Sequence, residues 1–261
     1  MTAPAPLLRV DHVSLSFRGV AAITDISFAV ARGEICALIG PNGAGKSSLL
    51  NVINGLYRPQ RGSITYEGRA RRAMRPRDAA RAGIGRTFQN LGLFKRMTVL
   101  EILMTGSTLA RRATLIEHLV PIGRARREEL AARARAEEIL EDLRLQAHRD
   151  AVVGTLPYGL QKRVELGRAL AGAPRLLLLD EPLAGMNHEE KQQMADDLVR
   201  VNHALGTTIV LIEHDMGVVM DVSDHVVVLD YGRKIGDGPP AEVRDDPAVI
   251  DAYLGVPHGE A

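Results

Sequence analysis

The residues Gly40-Pro41-Asn42-Gly43-Ala44-Gly45-Lys46-Ser47 fit the spacing G-x-x-x-x-G-K-[ST]. They follow an apolar run, Glu34 to Ile39, that reads as a strand, and they open a stretch, Gly45 to Asn54, that reads as a helix. In that context the glycines let the backbone wrap so that several N–H groups point inward, and the helix N-terminus adds positive potential for phosphate. Lys46 brings a point charge suited to the terminal phosphates of a nucleotide, and the Ser47 hydroxyl suits Mg²⁺. A second element is independent of the first. Leu176 to Leu179 is a buried-strand pattern that ends in Asp180-Glu181. Ligands of open parallel sheets gather beyond the carboxyl ends of the strands, so Asp180 is placed for a Mg²⁺ shell. Glu181 is then placed to orient or deprotonate an attacking water. A third run, Thr208 to Ile212, ends in Glu213-His214-Asp215, where His214 can hydrogen-bond a terminal phosphate oxygen and the attacking water. The other histidines, His12, His118, His148, His188, His203, His225 and His258, read as structural or solvated. No H-E-x-x-H spacing supports a zinc hydrolase.

The elements that must hold these groups alternate along the chain. Glu34 to Ile39, Leu176 to Leu179, Thr207 to Ile212 and Val226 to Leu229 are short, branched and continuously apolar, as strands of a central parallel sheet are. Gly45 to Asn54, Gln161 to Ala171 and Glu189 to Ala204 read as crossover helices. Leu7 to Val30 and Ser63 to Tyr66 alternate more and carry turn residues, which suggests an antiparallel sheet beside the α/β core. From Thr98 to about Arg149 strand character is scarce. The Ala/Arg/Glu-rich stretch Arg124 to Leu145 favours helix, with Leu130, Ala134, Ile139, Leu140 and Leu143 as its expected apolar stripe.

Taken in order, the phosphate loop, Gln89 within Arg86-Thr87-Phe88-Gln89-Asn90, Leu156 to Leu160 before a helical run, Asp180-Glu181-Pro182 and Glu213-His214-Asp215 resemble the ATPase subunits of ABC transporters over nearly the whole chain. Finer details resemble the branched-chain amino-acid importer branch, and its larger ATPase subunit in particular. They are Arg86 to Gln89, Leu93-Phe94 followed by Met97-Thr98-Val99, Ala184-Gly185-Met186-Asn187, Ile212 to Met216, and the tail Pro247 to Gly255. The resemblance implies an α/β fold: a P-loop NTPase core with a mainly parallel sheet, an N-terminal antiparallel β subdomain and a helical insertion. It implies a single domain over 1–261. Its nucleotide-binding core would span 7–97 and 150–238, its helical subdomain 98–149 and its C-terminal helical tail 239–261.

The resemblance also implies ATP and Mg²⁺ as cofactors, in a head-to-tail dimer with ATP between the subunits. Gly40 to Ser47 and Ser48 would hold ATP, with Phe17 stacking on adenine. Ser47, Gln89 and Asp180 would serve the metal. Glu181, His214 and Gln89 would be catalytic. The partner's nucleotide would meet the signature segment Leu156-Pro157-Tyr158-Gly159-Leu160, and Asn187 would sit in the dimer-contacting loop. The implied partners are a second ATPase subunit, identical or different, two membrane permease subunits and a solute-binding protein, with the chain peripheral on the cytoplasmic face. Two departures stand out. The wider family's signature begins Leu-Ser, whereas Pro157 has neither hydroxyl nor backbone N–H, so this half-site is expected to bind ATP more weakly. Thr98 to Leu103 is also one residue shorter than the branch's usual pattern.

Composition narrows the alternatives. The chain has 261 residues, 46% of them hydrophobic, and a formal net charge of +1, which excludes a disordered protein. The one cysteine, Cys36, excludes a disulfide framework and reads as a small core residue. No apolar run is long enough to span a membrane, and Met1 to Val10 does not read as a secretory signal. Nine arginines lie between Arg58 and Arg86 against Glu67 and Asp78. They read as a solvated face, with anionic lipid or an acidic partner as the alternative. Nucleic acid is not an expected partner, because only 3% of residues are aromatic. An export or lipid-trafficking motor would carry the same catalytic residues and remains the runner-up. A soluble ABC ATPase acting on nucleic acid or ribosomes would be expected to carry two cassettes or a long coiled-coil insertion, and neither is visible in this sequence. A P-loop kinase or GTPase gives no reason for Gln89, Leu156 to Leu160 and His214 together.

Overall fold

The computed structural model describes residues 5–71, 74–87, 92–107 and 123–254. Two sheets organise them. Strands β1 (Leu8–Phe17), β2 (Val20–Val30), β4 (Arg61–Tyr66) and β5 (Arg69–Arg71) form an antiparallel sheet in the order β2-β1-β4-β5. The second sheet has the order β10-β9-β3-β8-β7-β6, from β3 (Ile35–Ile39), β6 (Ile84–Arg86), β7 (Leu176–Asp180), β8 (Thr208–Ile212), β9 (His225–Asp230) and β10 (Arg233–Gly238). All its neighbours are parallel except the β9–β10 hairpin at one edge.

Every residue of β3, β7 and β8 is buried, and the period-2 alternation of a strand divides each between two cores. Cys36, Leu38, Leu176, Leu178, Val210 and Ile212 face the antiparallel sheet and the helix α1 (Lys46–Ile53). Ile35, Ala37, Ile39, Leu177, Leu179, Ile209 and Leu211 face a helical layer on the other side. Burying a Leu, Ile or Val in full stabilises by roughly 1.5–3 kcal/mol, so this doubly covered sheet is the rigid platform from which the loops at its carboxyl end project. Among the described residues no helix is long and apolar enough to cross a membrane.

The helical layer contains α2 (Val99–Gly106), started by a capping box between Thr98 and Glu101, and the helices Arg124–Asp142, Tyr158–Leu170 and His188–Leu205. The apolar stripe of Arg124–Asp142 agrees with the expected one at Ile139, Leu140 and Leu143 and departs from it at Leu130 and Ala134. Leu130 is 58% exposed and Ala134 is also exposed, whereas Ala132, Ala136, Ile139, Leu140 and, just past the helix, Leu143 are buried. Positions 132, 136, 139, 140 and 143 share one helical face, and 130 lies about 200° away from 132 at 100° per residue. The helix Tyr158–Leu170 makes room for the larger side chains of this face with a glycine. A Cβ on Gly167 would lie 2.6 Å from Leu103 Cδ2 and 3.1 Å from Ile139 Cγ2.

The end of the sheet away from the phosphate loop is tied by His225. Its Nδ1 lies 3.2 Å from Glu34 Oε1 and its Nε2 2.6 Å from Asp237 Oδ1, joining β9 to β10 and to the residue before β3. Hydrogen bonding to the Cys36 thiol and the Glu34 carboxylate, with Asp237 adding to them, pushes the imidazole up to about 11 against the opposing effect of burial. A folded-state value above the unfolded one of about 6.5 contributes stability that is complete below pH 6.5 and is lost as pH rises toward 11. Melting temperature should therefore fall between pH 7 and 10, by about 2–4 °C for each kcal/mol lost. The His225→Gln protein should be less stable at pH 6 and show a flatter profile. Parallel pH profiles for the two proteins in thermal melts would contradict this.

Candidate functional site

Phosphate-loop geometry is set by contacts that admit no side chain. Gly40 follows β3 with φ +140°, and a Cβ there would lie 1.9 Å from the Leu229 carbonyl oxygen on β9. Gly45, at φ +97°, is the residue before α1, and its Cβ would lie 2.4 Å from the Ala22 carbonyl oxygen on β2. The β9–β10 turn closes the support: Gly232 N–H donates to Ala44 O at 3.1 Å and Gly232 O accepts from Thr24 N–H at 2.7 Å. The loop is thus wedged between both sheets, with the N-terminus of α1 opening beneath it.

Lys46 is 6% exposed, and its ammonium donates to Gly40 O at 2.6 Å and Pro41 O at 2.8 Å. Burial pushes its pKa below the usual value, against the pull of the Glu181 and Asp180 carboxylates. Ser47 Oγ lies 3.4 Å from Asp180 Oδ1, so a hydroxyl from the helix and a carboxylate from the end of β7 converge, although 133 residues separate them. These are hard oxygen donors of the kind Mg²⁺ takes. Among the described residues no group of three His, Cys, Asp or Glu could hold a metal without help.

Glu181 follows Asp180 with φ +51°, a left-handed conformation unusual for a side chain of its size. Its N–H donates to Ile212 O at 3.0 Å, and its Oε1 lies 2.9 Å from His214 Nε2. With Glu181 ionised, Nε2–H is the donor. The two residues therefore meet at the carboxyl ends of the adjacent strands β7 and β8. Glu213, 4% exposed, braces them from behind by accepting Leu183 N–H at 2.7 Å and His214 N–H at 3.2 Å. Burial raises the Glu213 pKa, with those two donors working the other way.

The remaining expected residues fall into separate places. Phe17 ends β1, is 41% exposed and stands edge-on to Tyr57, with ring centroids 5.1 Å apart. Pro157 is the residue before the helix Tyr158–Leu170, and the side chains of Leu156 and Leu160 pack on the helical-layer core. Tyr158 is 42% exposed beneath Lys162 Nζ, 5.8 Å from the ring centroid. Gly159 is buried, and a Cβ there would lie 2.5 Å from Glu190 Oε1. Glu190 in turn shares a capping box with Asn187, whose Oδ1 accepts Glu190 N–H at 2.9 Å. The signature glycine and the loop of Asn187 are therefore packed together within one chain. Gln89 lies outside the described residues.

Motif spacing alone does not single out Arg86, Asn51 or the bracing role of Glu213. Arg86 and Asp180 form a buried ion pair at 3.2 Å, and Arg86 also donates to Asn51 Oδ1 at 2.5 Å. In the sequence Arg86 enters only as the first residue of the Arg86-to-Gln89 run, which names no partner for it. In the basic stretch, Glu67 pairs with Arg175 at 2.6 Å and with Arg32 at 3.5 Å.

Known proteins with this arrangement are numerous. A family described as "ABC transporter" matches residues 23–184, and one described as "Branched-chain amino acid ATP-binding cassette transporter" matches residues 233–259. The high-affinity branched-chain amino acid transport ATP-binding protein BraF of Pseudomonas aeruginosa is 37% identical over 250 residues, 96% of this chain and 98% of its own length. The corresponding LivG protein of Salmonella typhimurium is 38% identical over the same shares. A crystal structure of the ADP conformation of an ATP-binding cassette of an ABC transporter superposes with a TM-score of 0.84. It is 32% identical, covering 97% of this chain and 100% of that one.

Proposed function

This chain belongs to the ABC transporter family, and from that premise we propose how its site works and what it serves. It is an ATP-binding and ATP-hydrolysing motor subunit, and its cargo class is branched-chain or other hydrophobic amino acids, taken up into the cell. The observation that carries the cargo class is the match of residues 233–259 to the branched-chain amino-acid description, a segment remote in sequence from the general nucleotide motifs.

In this reading the phosphate loop and Lys46 hold the ATP phosphates, and Phe17 stacks on the base. Ser47 and Asp180 hold Mg²⁺, which supplies charge neutralisation at the β- and γ-phosphates. Glu181, oriented by His214, accepts the proton of the attacking water, and Gln89 contributes to the same centre. A second ATPase subunit presents its residues 156–160 to this nucleotide. That the signature segment and α1 lie on opposite sides of the sheet supports such an arrangement. ATP favours the closed pair and hydrolysis removes the preference, which switches two membrane permease subunits on the cytoplasmic face. A solute-binding protein delivers the amino acid.

Purification in mild detergent should bring down two permease subunits and an ATPase partner. In proteoliposomes their ATPase activity should rise when a cognate binding protein is loaded with a hydrophobic amino acid. Co-purification with a lipid-exporting assembly, and no response to amino acids, would overturn the cargo assignment in favour of the export reading.

Pro157 gives a smaller test. A Ser there would occupy a helix N-cap and offer one hydroxyl to the partner's phosphate. A hydrogen bond to a charged group contributes about 1.5–3 kcal/mol, so Pro157→Ser should tighten ATP-dependent dimerisation by about tenfold or more. Unchanged dimerisation in analytical ultracentrifugation would show that Pro157 does not limit this half-site.

A further inference from the structure

Behind the two oxygens assigned to the metal stands a fixed positive charge. Arg86 ends the edge strand β6, where it pairs with Leu178, two residues before Asp180. Its Nη2 donates to Asp180 Oδ2 at 3.2 Å and its Nη1 to Asn51 Oδ1 at 2.5 Å. The side chains of Arg86 and Asp180 are 9% and 8% exposed. Asn51 sits one turn beyond Ser47 on the same face of α1, the i,i+4 relation. Ser47 Oγ lies 3.4 Å from the other carboxylate oxygen, Oδ1. One guanidinium thus spans helix and strand, and it takes the oxygen of Asp180 that Ser47 does not.

We propose that Arg86 is a positioning residue for the metal, which by holding Oδ2 keeps Asp180 Oδ1 turned toward Ser47 before nucleotide arrives. The proposal rests on the ATPase reading above. The carboxylate torsion of Asp is broad and nearly two-fold, so the side chain does not fix its own orientation. The planar guanidinium can, because its donors are held in a rigid fork. Lys46 lies within electrostatic reach of Asp180 and is the cation that would draw the carboxylate if Arg86 were absent. An Asp180 swung toward Lys46 would be withdrawn from the metal. Arg86 also repels a cation at that place, and the two effects have opposite signs, so measurement separates them. A lysine at 86 keeps the charge but lacks the fork to serve Asn51 and Asp180 together.

The test uses the wild-type chain and the variants Arg86→Gln, Arg86→Lys and Asn51→Ala. A fluorescent ATP analogue is titrated in EDTA, and Mn²⁺ binding to the ATP-loaded proteins is followed by electron paramagnetic resonance. Metal-free ATP affinity should stay near the wild-type value throughout. Outer-shell partners of a metal ligand typically change affinity by about 10–100-fold, so the Mn²⁺ dissociation constant should rise in that range for Arg86→Gln. The rise should be smaller for Arg86→Lys and Asn51→Ala, both of which stay informative if Arg86→Gln fails to fold. Unchanged Mn²⁺ affinity in Arg86→Lys and Asn51→Ala would overturn the proposal. So would tighter Mn²⁺ binding in Arg86→Gln, which would make Arg86 a repelling charge. Wild-type protein that bound Mn²⁺ but no ATP analogue would overturn the ATPase reading and this one with it.

Discussion

Glu181→Gln is expected to lower ATP turnover by roughly 10²–10⁴-fold, the usual contribution of a positioned general base, while ATP affinity changes little. Glutamine has the shape of glutamate, so the left-handed backbone at φ +51° and the N–H bond to Ile212 O should persist. Its amide oxygen can still accept the His214 Nε2–H that now meets Glu181 Oε1 at 2.9 Å. What glutamine cannot do is accept the proton of an attacking water. The variant should therefore bind ATP, close with its partner and remain closed. The measurement is phosphate release by the reconstituted assembly, with crosslinking of the ATP-loaded pair beside it. His214→Ala supplies the contrast: it leaves the carboxylate in place but removes a group that orients it, so turnover should fall while the closed pair still reopens. Wild-type turnover in Glu181→Gln would remove Glu181 as the base.

Much of this centre is legible in sequence because its chemistry is carried by short local runs. A phosphate loop is expected to work through its backbone, and the glycines required at 40 and 45, where a Cβ would strike carbonyl oxygens, are written in eight consecutive positions. Asp180, Glu181 and His214 are legible because buried strands are unmistakably apolar, and the first polar residues after them must lie at the carboxyl edge of the sheet. Partnerships made across the fold are not legible. Arg86 meets Asp180 from 94 residues away, and Glu213 reaches back 30 residues to Leu183. No periodicity announces either pairing, since both depend on strand order. The stripe expected on Arg124–Asp142 is right in part, since Ile139, Leu140 and Leu143 are buried while Leu130 and Ala134 are exposed. At 100° per residue Leu130 lies about 180° from Ile139 and Ala134 about 180° from Leu143. Helical phase, not apolar character alone, decides which of these residues reach the core.

The same locality makes Lys46→Ala the sharper test of nucleotide binding. Lys46 now spends its hydrogen bonds on Gly40 O and Pro41 O, inside a loop where burial already depresses its pKa. On binding ATP, the ammonium is expected to exchange these carbonyl oxygens for phosphate oxygens. Truncating one partner of a buried, hydrogen-bonded charge pair costs about 2–5 kcal/mol, so the ATP dissociation constant should rise by roughly 30-fold to several thousandfold. Without nucleotide the change is smaller, because two carbonyl hydrogen bonds of about 1 kcal/mol each are lost while a partly desolvated ammonium is removed. Thermal melts distinguish the two states. At 100 times its dissociation constant ATP stabilises the wild-type chain by about 2.7 kcal/mol, a shift of about 5–11 °C for a chain of this size class. At that same ATP concentration the shift should shrink to about 2–3 °C or vanish in Lys46→Ala, with the nucleotide-free melting temperature close to wild type. A variant that melted normally and kept the full ATP shift would show that the phosphates rest elsewhere, and the loop between β3 and α1 would lose its assigned role.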